Sequence, residues 1–206
     1  MTNGLVHRGD YLFHITHIKN LPAILKRGIL CKNRLANERI GYENVAYDDI
    51  QEVRSRKCIP GTAHTIHDCV PLFFGARPPM LLALKRKGYL SEEIIYIVVK
   101  WEIINQPTTW FTDGNARSNE TVFYQGAENT DRVDFDAADA WYWGDKGDDF
   151  KRKKQAEVLK LDCIALNDIV GFIVYNVGIK AVVENILAAQ QIIGKDVVVA
   201  EGFYYQ

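Results

Sequence analysis

A mixed α+β fold is predicted, with many strands and few long helices. Three observations predict it. Strand-like runs, apolar or rich in aromatic and β-branched residues, recur along the chain, at 11–18, 68–74, 94–99, 156–161 and 169–175. Only residues 180–193 carry a helical pattern of substantial length. The strands do not alternate regularly with helices, which argues against a Rossmann sheet, and the sequence has neither a Gly-x-Gly-x-x-Gly after a strand nor a Walker loop.

Residues 11–18 alternate and form the first predicted strand. Asn20 is placed as the N-cap of a short helix. Pro22 falls in its first turn, where a missing N–H is harmless; Leu21, Ile24 and Leu25 make the apolar stripe, and Gly28 is the stop. Residues 32–47 are polar without a clear period and read as a loop, long enough to be functional. A short helix is expected over 49–56, where Ile50 and Val53 stand three apart, and Pro60-Gly61-Thr62 is turn chemistry. The apolar strand 68–74 ends before Gly75-Ala76-Arg77-Pro78-Pro79, and 80–87 gives a short helix with a basic end. Residues 94–99 are mostly β-branched, with acids before them and Lys100 after, and form a strand. Phe111-Thr112-Asp113-Gly114-Asn115 is a strand end entering a turn, and 129–149 is acidic and aromatic. Strands at 156–161 and 169–175, the helix 180–193, and a final strand from 197–200 with 203–205 complete the chain.

The 206 residues are read as one domain, 1–206, and 48% hydrophobic residues suffice for a core without staples. A formal net charge of −1 excludes a global field that draws in nucleic acid, so any such contact must rest on a local basic patch. Cys31, Cys58, Cys69 and Cys163 show neither Cys-x-x-Cys nor zinc spacing; they are expected to be small buried hydrophobes, with no metal site. The first residues lack the apolar region of a signal peptide, and no apolar run approaches the roughly 18 residues of a spanning helix. A cytoplasmic protein with reduced thiols and no membrane contact is expected.

Several residues are candidates for chemistry. His14 and Thr16 are two apart on a strand and share a face, with His17 on the other; they suit a ribose or an amide, or else His14 is a packed, hydrogen-bonded core histidine. Basic clusters at 54–57, 85–87 and 151–154 are either solvated faces or a track for phosphates, with the acids segregated chiefly in 131–149. Trp110, Phe111, Trp141, Tyr142 and Trp143 either pack or stack on exposed bases. Glu157 stands between Ala156 and Val158 with Gln155 on its face; it is either the solvent face of an edge strand or a buried acid that is paired or working.

In order, the segments Phe13-His14-Ile15-Thr16-His17-Ile18, Asn20-Leu21-Pro22, Gly28, Ala46-Tyr47 and Ile50-Gln51-Glu52-Val53-Arg54 resemble the DarT family of DNA ADP-ribosyltransferases, toxins of toxin–antitoxin pairs. So do His67-Asp68-Cys69-Val70-Pro71-Leu72-Phe73-Phe74, Arg77-Pro78-Pro79-Met80-Leu81, Phe111-Thr112-Asp113, Lys154-Gln155-Ala156-Glu157 and Phe203-Tyr204-Tyr205. The resemblance implies an ADP-ribosyltransferase-like fold: a split, mostly antiparallel β core with flanking helices and an NAD cleft. It implies Glu157 and Arg54 as catalytic residues, and His14, Thr16, Asn20, Gly28, Tyr47 and Arg54 as contacts of NAD, used as co-substrate. The segment 135–154 corresponds to the part that reads the acceptor, a thymine of single-stranded DNA; Arg56, Asn115, Trp143, Lys151, Lys153 and Lys154 are the expected nucleic-acid contacts. A macrodomain antitoxin that hydrolyses ADP-ribose is the expected partner. Two positions depart from the family pattern. Asn115 stands where the family carries a His and cannot supply its charge, and Cys69 replaces a Tyr. Both bear on target sequence preference more than on activity.

In the implied reaction Glu157 faces an oxocarbenium-like ribose and accepts from a ribose hydroxyl. Arg54 stabilises the base anion without acting as a base, because guanidinium stays protonated. The alternatives are an RNA-directed, NAD-consuming transferase of the 2′-phosphotransferase type, and a non-catalytic nucleic-acid-binding relative.

Overall fold

The computed structural model of the protein describes residues 10–46 and 48–206, with Asp48 and Asp49 described in backbone alone. Its fold grows from the two most apolar runs. β1 (Tyr11–His17) and β4 (Ile94–Lys100) pair antiparallel at every position, from Tyr11↔Lys100 to His17↔Ile94. β4 is buried from Ile94 to Val99, on both of its faces, which is why its sequence is continuously apolar rather than alternating. β9 (Ile169–Val174) pairs antiparallel with β4, and β10 (Asp196–Val199) lies parallel to β9 after the crossover helix α7 (Val177–Ala189).

A second group of strands continues the sheet on the other side of β1. β3 (Cys69–Phe73), β7 (Glu157–Leu161), β5 (Thr109–Thr112) and β6 (Phe123–Tyr124) follow in that spatial order, all antiparallel. The full order is β10-β9-β4-β1-β3-β7-β5-β6. The two groups meet at a single registered pair, Phe13↔Phe73, so the sheet opens between β1 and β3. This is the split, mostly antiparallel core with flanking helices that the family resemblance implies. A separate two-stranded ribbon joins β2 (Ile29–Leu30) to β8 (Cys163–Ile164).

Both sheet faces are covered. Leu12, Ile95, Ile97 and Phe172 pack with Leu21 and Leu25 of α1 (Leu21–Arg27) and with Val183 and Leu187 of α7. On the reverse face Phe13, Ile15, Tyr96 and Ile173 pack with Leu81 and Leu84 of α4 (Pro79–Arg86).

Some elements differ from expectation, each for a physical reason. Residues 32–47 are not all loop: α2 (Lys32–Asn37) forms there, its first turn capped by the Cys31 thiol, which accepts from Arg34 N at 3.4 Å. Asn20 does not cap α1 with its side chain, because that side chain is engaged elsewhere. α7 begins at Val177 rather than 180, since Asn176 Oδ1 accepts from Ile179 N at 3.0 Å. Residues 203–205 are not a strand: a 3-10 turn (Glu201–Phe203) leads to Tyr204, whose hydroxyl lies 3.1 Å from Ile94 O and 3.0 Å from Ile173 O. Cys31 and Cys69 are buried as expected, whereas Cys58 is exposed and Cys163 half-buried.

Gly28 carries a backbone requirement. Its φ is +80°, and a Cβ there would overlap the Ile164 carbonyl across the β2–β8 ribbon. Gly28→Ala should therefore lower unfolding free energy by about 2–4 kcal/mol in urea denaturation; an unchanged midpoint would contradict this packing.

Candidate active site

The opening between β1 and β3 is a cavity of about 540 Å³, within the range of small-molecule sites (roughly 300–1,000 Å³). Its charged lining is mostly basic, with Arg27, Lys32, Arg54, Arg86, Arg117 and Lys151 against the acids Glu43 and Glu157. In a chain of net charge −1 that concentration is local, and it suits a ligand rich in phosphate.

Glu157 opens β7, an interior strand between β3 and β5, so the edge-strand alternative is excluded. The residue is only 3% exposed. Its carboxylate accepts from Arg54 Nη1 at 3.0 Å and Nη2 at 2.9 Å, a fork-on-fork pair, and Oε1 also accepts from Ala116 N at 3.0 Å. The backbone is fixed as well: Glu157 N donates to Thr112 Oγ1 at 3.1 Å, and that hydroxyl lies 2.6 Å from Gly114 O. An unpaired carboxylate at this depth costs several kcal/mol; three N–H donors compensate it. Arg54 comes from α3 (Asp48–Arg56), the helix expected over 49–56.

His14 and Thr16 lie in the wall contributed by β1. His14 Nδ1 is 3.0 Å from Pro71 O; a carbonyl only accepts, so Nδ1 carries the proton and Nε2 keeps a lone pair. Burial holds the imidazole below its ordinary pKa, outweighing the pull of that hydrogen bond, so the ring is neutral near pH 7. Thr16 Oγ1 accepts from Asn20 Nδ2 at 3.0 Å. Asn20 also grips the backbone of Glu43 from both sides, Nδ2 to Glu43 O at 2.9 Å and Glu43 N to Oδ1 at 2.8 Å, which draws the 41–46 segment over the cavity. Gly28 lines the cavity too, beside its turn role. Tyr47 lies outside the described residues.

The residues expected on nucleic acid separate. Asn115, Trp143 and Lys151 line the cavity. Asn115 Nδ2 donates to Gln155 Oε1 at 2.9 Å, and Trp143 Nε1 donates to the Tyr205 hydroxyl at 2.8 Å. Arg56 points outward and pairs with Glu52 at 2.7 Å, and Lys153 pairs with Asp149 at 3.2 Å and Asp134 at 3.6 Å on α6 (Gly147–Lys153) and the turn before α5 (Phe135–Ala138). Lys154 corrects its expectation outright. It is 2% exposed, and its ammonium donates to Ala76 O at 2.7 Å and Ala138 O at 2.6 Å. Burial pushes its pKa down to about 8. It is an internal clamp and cannot meet a phosphate.

Sequence reading missed the Ala116 amide, which is backbone and has no signature in side-chain type, and gave no role to the Thr112 hydroxyl, although Phe111-Thr112-Asp113 is one of the resembling segments. It also passed over Gln51 and His67, although Gln51 stands three residues before Arg54 on one helix face. Gln51 Oε1 lies 2.9 Å from both Lys32 Nζ and His67 Nε2. Among the described residues no group of three His, Cys, Asp or Glu side chains is arranged to hold a metal ion, and no helix is long and apolar enough to cross a membrane.

A family model described as DarT, ssDNA thymidine ADP-ribosyltransferase, matches residues 13–205. A DNA ADP-ribosyl transferase of Thermus aquaticus is 32% identical over 184 residues, covering 86% of this chain and 80% of that protein. A DNA ADP-ribosyl transferase–DNA ADP-ribosyl glycohydrolase fusion protein of Thermosipho africanus is 32% identical over 155 residues; the match covers 74% of this chain and 39% of the fusion. The structure of Thermus sp. 2.9 DarT in complex with ADP-ribosylated ssDNA superposes with a TM-score of 0.87 at 28% identity, covering 97% of this chain and 98% of that one. The same Thermus protein in complex with NAD+ gives 0.80 at 26% identity, covering 97% and 99%.

Lys154→Met leaves two buried carbonyls without donors and should cost about 2–4 kcal/mol of stability. Its affinity for single-stranded DNA, measured by fluorescence anisotropy at two salt concentrations, should stay within about twofold with the same salt slope. A reduced salt slope would return Lys154 to the phosphate track.

Proposed function

The chain belongs to the DarT family of ssDNA thymidine ADP-ribosyltransferases and is an NAD-dependent DNA ADP-ribosyltransferase, and we propose that Glu157 and Arg54 carry its transfer step while His14 and Thr16 hold the dinucleotide. The observation that supports this most is the buried, bidentate Arg54–Glu157 pair in the wall of a basic cavity. The mostly antiparallel sheet and its opening between β1 and β3 support reading the chain as a single ADP-ribosyltransferase domain.

In the transfer the bond between nicotinamide and ribose breaks and nicotinamide leaves neutral, needing no general acid. The ribose carbon bonds to the thymine ring nitrogen, and the proton of that nitrogen passes to solvent. Glu157, oriented by Arg54 and the Ala116 amide, faces the positive charge that develops on the sugar and accepts from a ribose hydroxyl. Neutral His14 offers the Nε2 lone pair to a hydroxyl of the dinucleotide. Arg54 stays protonated and stabilises the anion of the base as its proton leaves.

Trp143 supplies a stacking face and Lys151 a cation at the cavity, where they serve the single strand, with Asn115 as a hydrogen-bonding contact. A ring nitrogen used in pairing is hidden in a duplex, so exposed bases are the substrate. The chain acts as a toxin held in check by an ADP-ribose-removing macrodomain; the Thermosipho fusion, which joins the two activities in one polypeptide, supports that partner. The free cysteines favour the cytoplasm. No feature of the site favours the RNA-directed alternative.

Incubation with NAD and single-stranded oligonucleotides, followed by mass spectrometry, tests the reading. The wild type should add one ADP-ribose per target thymine, and Glu157→Ala should lose at least about 10³-fold in rate while keeping its fold by circular dichroism. Turnover by the folded Ala variant within tenfold of wild type would refute the assignment.

A further inference from the structure

Gln51 sits on α3 one turn before Arg54, and its side chain lines the cavity. Its amide orientation is dictated by two neighbours that line the same cavity, Lys32 and His67. A lysine ammonium can only donate, so the atom 2.9 Å from Lys32 Nζ is the oxygen Oε1. An amide oxygen can only accept, so His67 Nε2, also 2.9 Å away, carries the ring proton. His67 is a neutral donor near pH 7: burial first, then the charges of Lys32 and Arg54, push its pKa down to about 4. With Oε1 engaged twice, the NH2 end is the one left for the cavity, and among the described residues it has no hydrogen-bond partner.

The side chains that α3 presents here, Gln51 through its NH2 and Arg54, are donors. Such a pair selects a ligand edge made of acceptors. Thymine presents a carbonyl at C4, where cytosine carries an amine that would meet a donor with a donor. A nicotinamide carboxamide asks for both a donor and an acceptor, which the donor pair on α3 does not supply by itself.

We propose that Gln51 is a specificity-determining residue, its NH2 donating to the C4 carbonyl of the target thymine and thereby rejecting cytosine. This rests on the transferase reading above. The contact is strongest when the neighbouring ring nitrogen has lost its proton and charge spreads onto that oxygen, so it acts on transfer rather than on nicotinamide loss alone. Lys32 and His67 are positioning residues: they act through Gln51 by fixing which end of the amide faces the base.

The test is single-turnover transfer from NAD to a single-stranded oligonucleotide carrying one target thymine, or 4-thiothymine at the same place, with nicotinamide release measured in parallel. Sulfur accepts hydrogen bonds poorly, so the wild type should slow on the thio base. Gln51→Met should reduce transfer to thymine about 30-fold more than nicotinamide release, and should lose the difference between oxygen and sulfur. Gln51→Glu keeps the size and the contacts to Lys32 and His67 but turns an oxygen toward the carbonyl; it should transfer still less. Transfer by both variants at the wild-type rate overturns the proposal, as does an undiminished thio effect in Gln51→Met. So does an equal loss of nicotinamide release and transfer, which would place Gln51 on the dinucleotide. A wild type that labels no thymine removes the transferase reading and this inference together, whereas failure in the variants alone removes only the inference.

Discussion

The buried pair between Arg54 and Glu157 is the constraint on which the site depends. It joins a helix that lines the cavity to a strand inside the sheet, over 103 residues of sequence. Two parallel hydrogen bonds fix both groups in one plane, and the Ala116 amide adds a third donor from the segment after β5. A carboxylate and a guanidinium this deep gain little net stability from each other, because desolvation offsets most of their attraction. Two hydrophobic residues would hold α3 as well. In the transfer proposed above, the pair serves as a prepared charge, an acid already oriented and buried to face a sugar cation.

Around it the protein separates its charges. The chain as a whole is nearly neutral, yet the cavity is basic. The acids of 131–149 are used elsewhere, Asp134 and Asp149 holding Lys153 and Asp149 also holding Arg152. Cations on α6 are thereby spent on local structure, while Lys151 remains at the cavity. The wall built by β1 is neutral by contrast, with His14 uncharged and Thr16 tied to Asn20. On the proposed reading, the neutral polar wall serves the hydroxyls of the dinucleotide, the charged couple its reacting sugar and the basic lining its phosphates.

How much of this the sequence disclosed follows from where each signal resides. β4 and β9 were legible because burial on two faces demands long apolar runs, β1 because its residues alternate, and Gly28 because a left-handed residue ends α1. Asn20 was legible as a special residue but not in its role, since a cap and a clamp on Glu43 use the same side chain. Residues 151–154 form one basic run, yet Lys151 faces the cavity, Lys153 an acid pair and Lys154 the interior; helix phase and the start of β7 decide this, and composition does not reveal them. Glu157 was singled out by its apolar neighbours, while its pairing with Arg54 is a long-range contact that local pattern cannot carry. The Ala116 amide is backbone and leaves no trace in residue type at all.

The central claim is that a fixed carboxylate meets the ribose as that sugar becomes cationic. The hydrogen isotope effect at the ribose carbon bonded to nicotinamide measures that directly, from single-turnover nicotinamide release by the wild-type enzyme with a single-stranded acceptor. The account predicts a large normal effect, since the carbon flattens before the base attacks. An effect of unity, as in a displacement where the base pushes nicotinamide out and no charge gathers on the sugar, would contradict it.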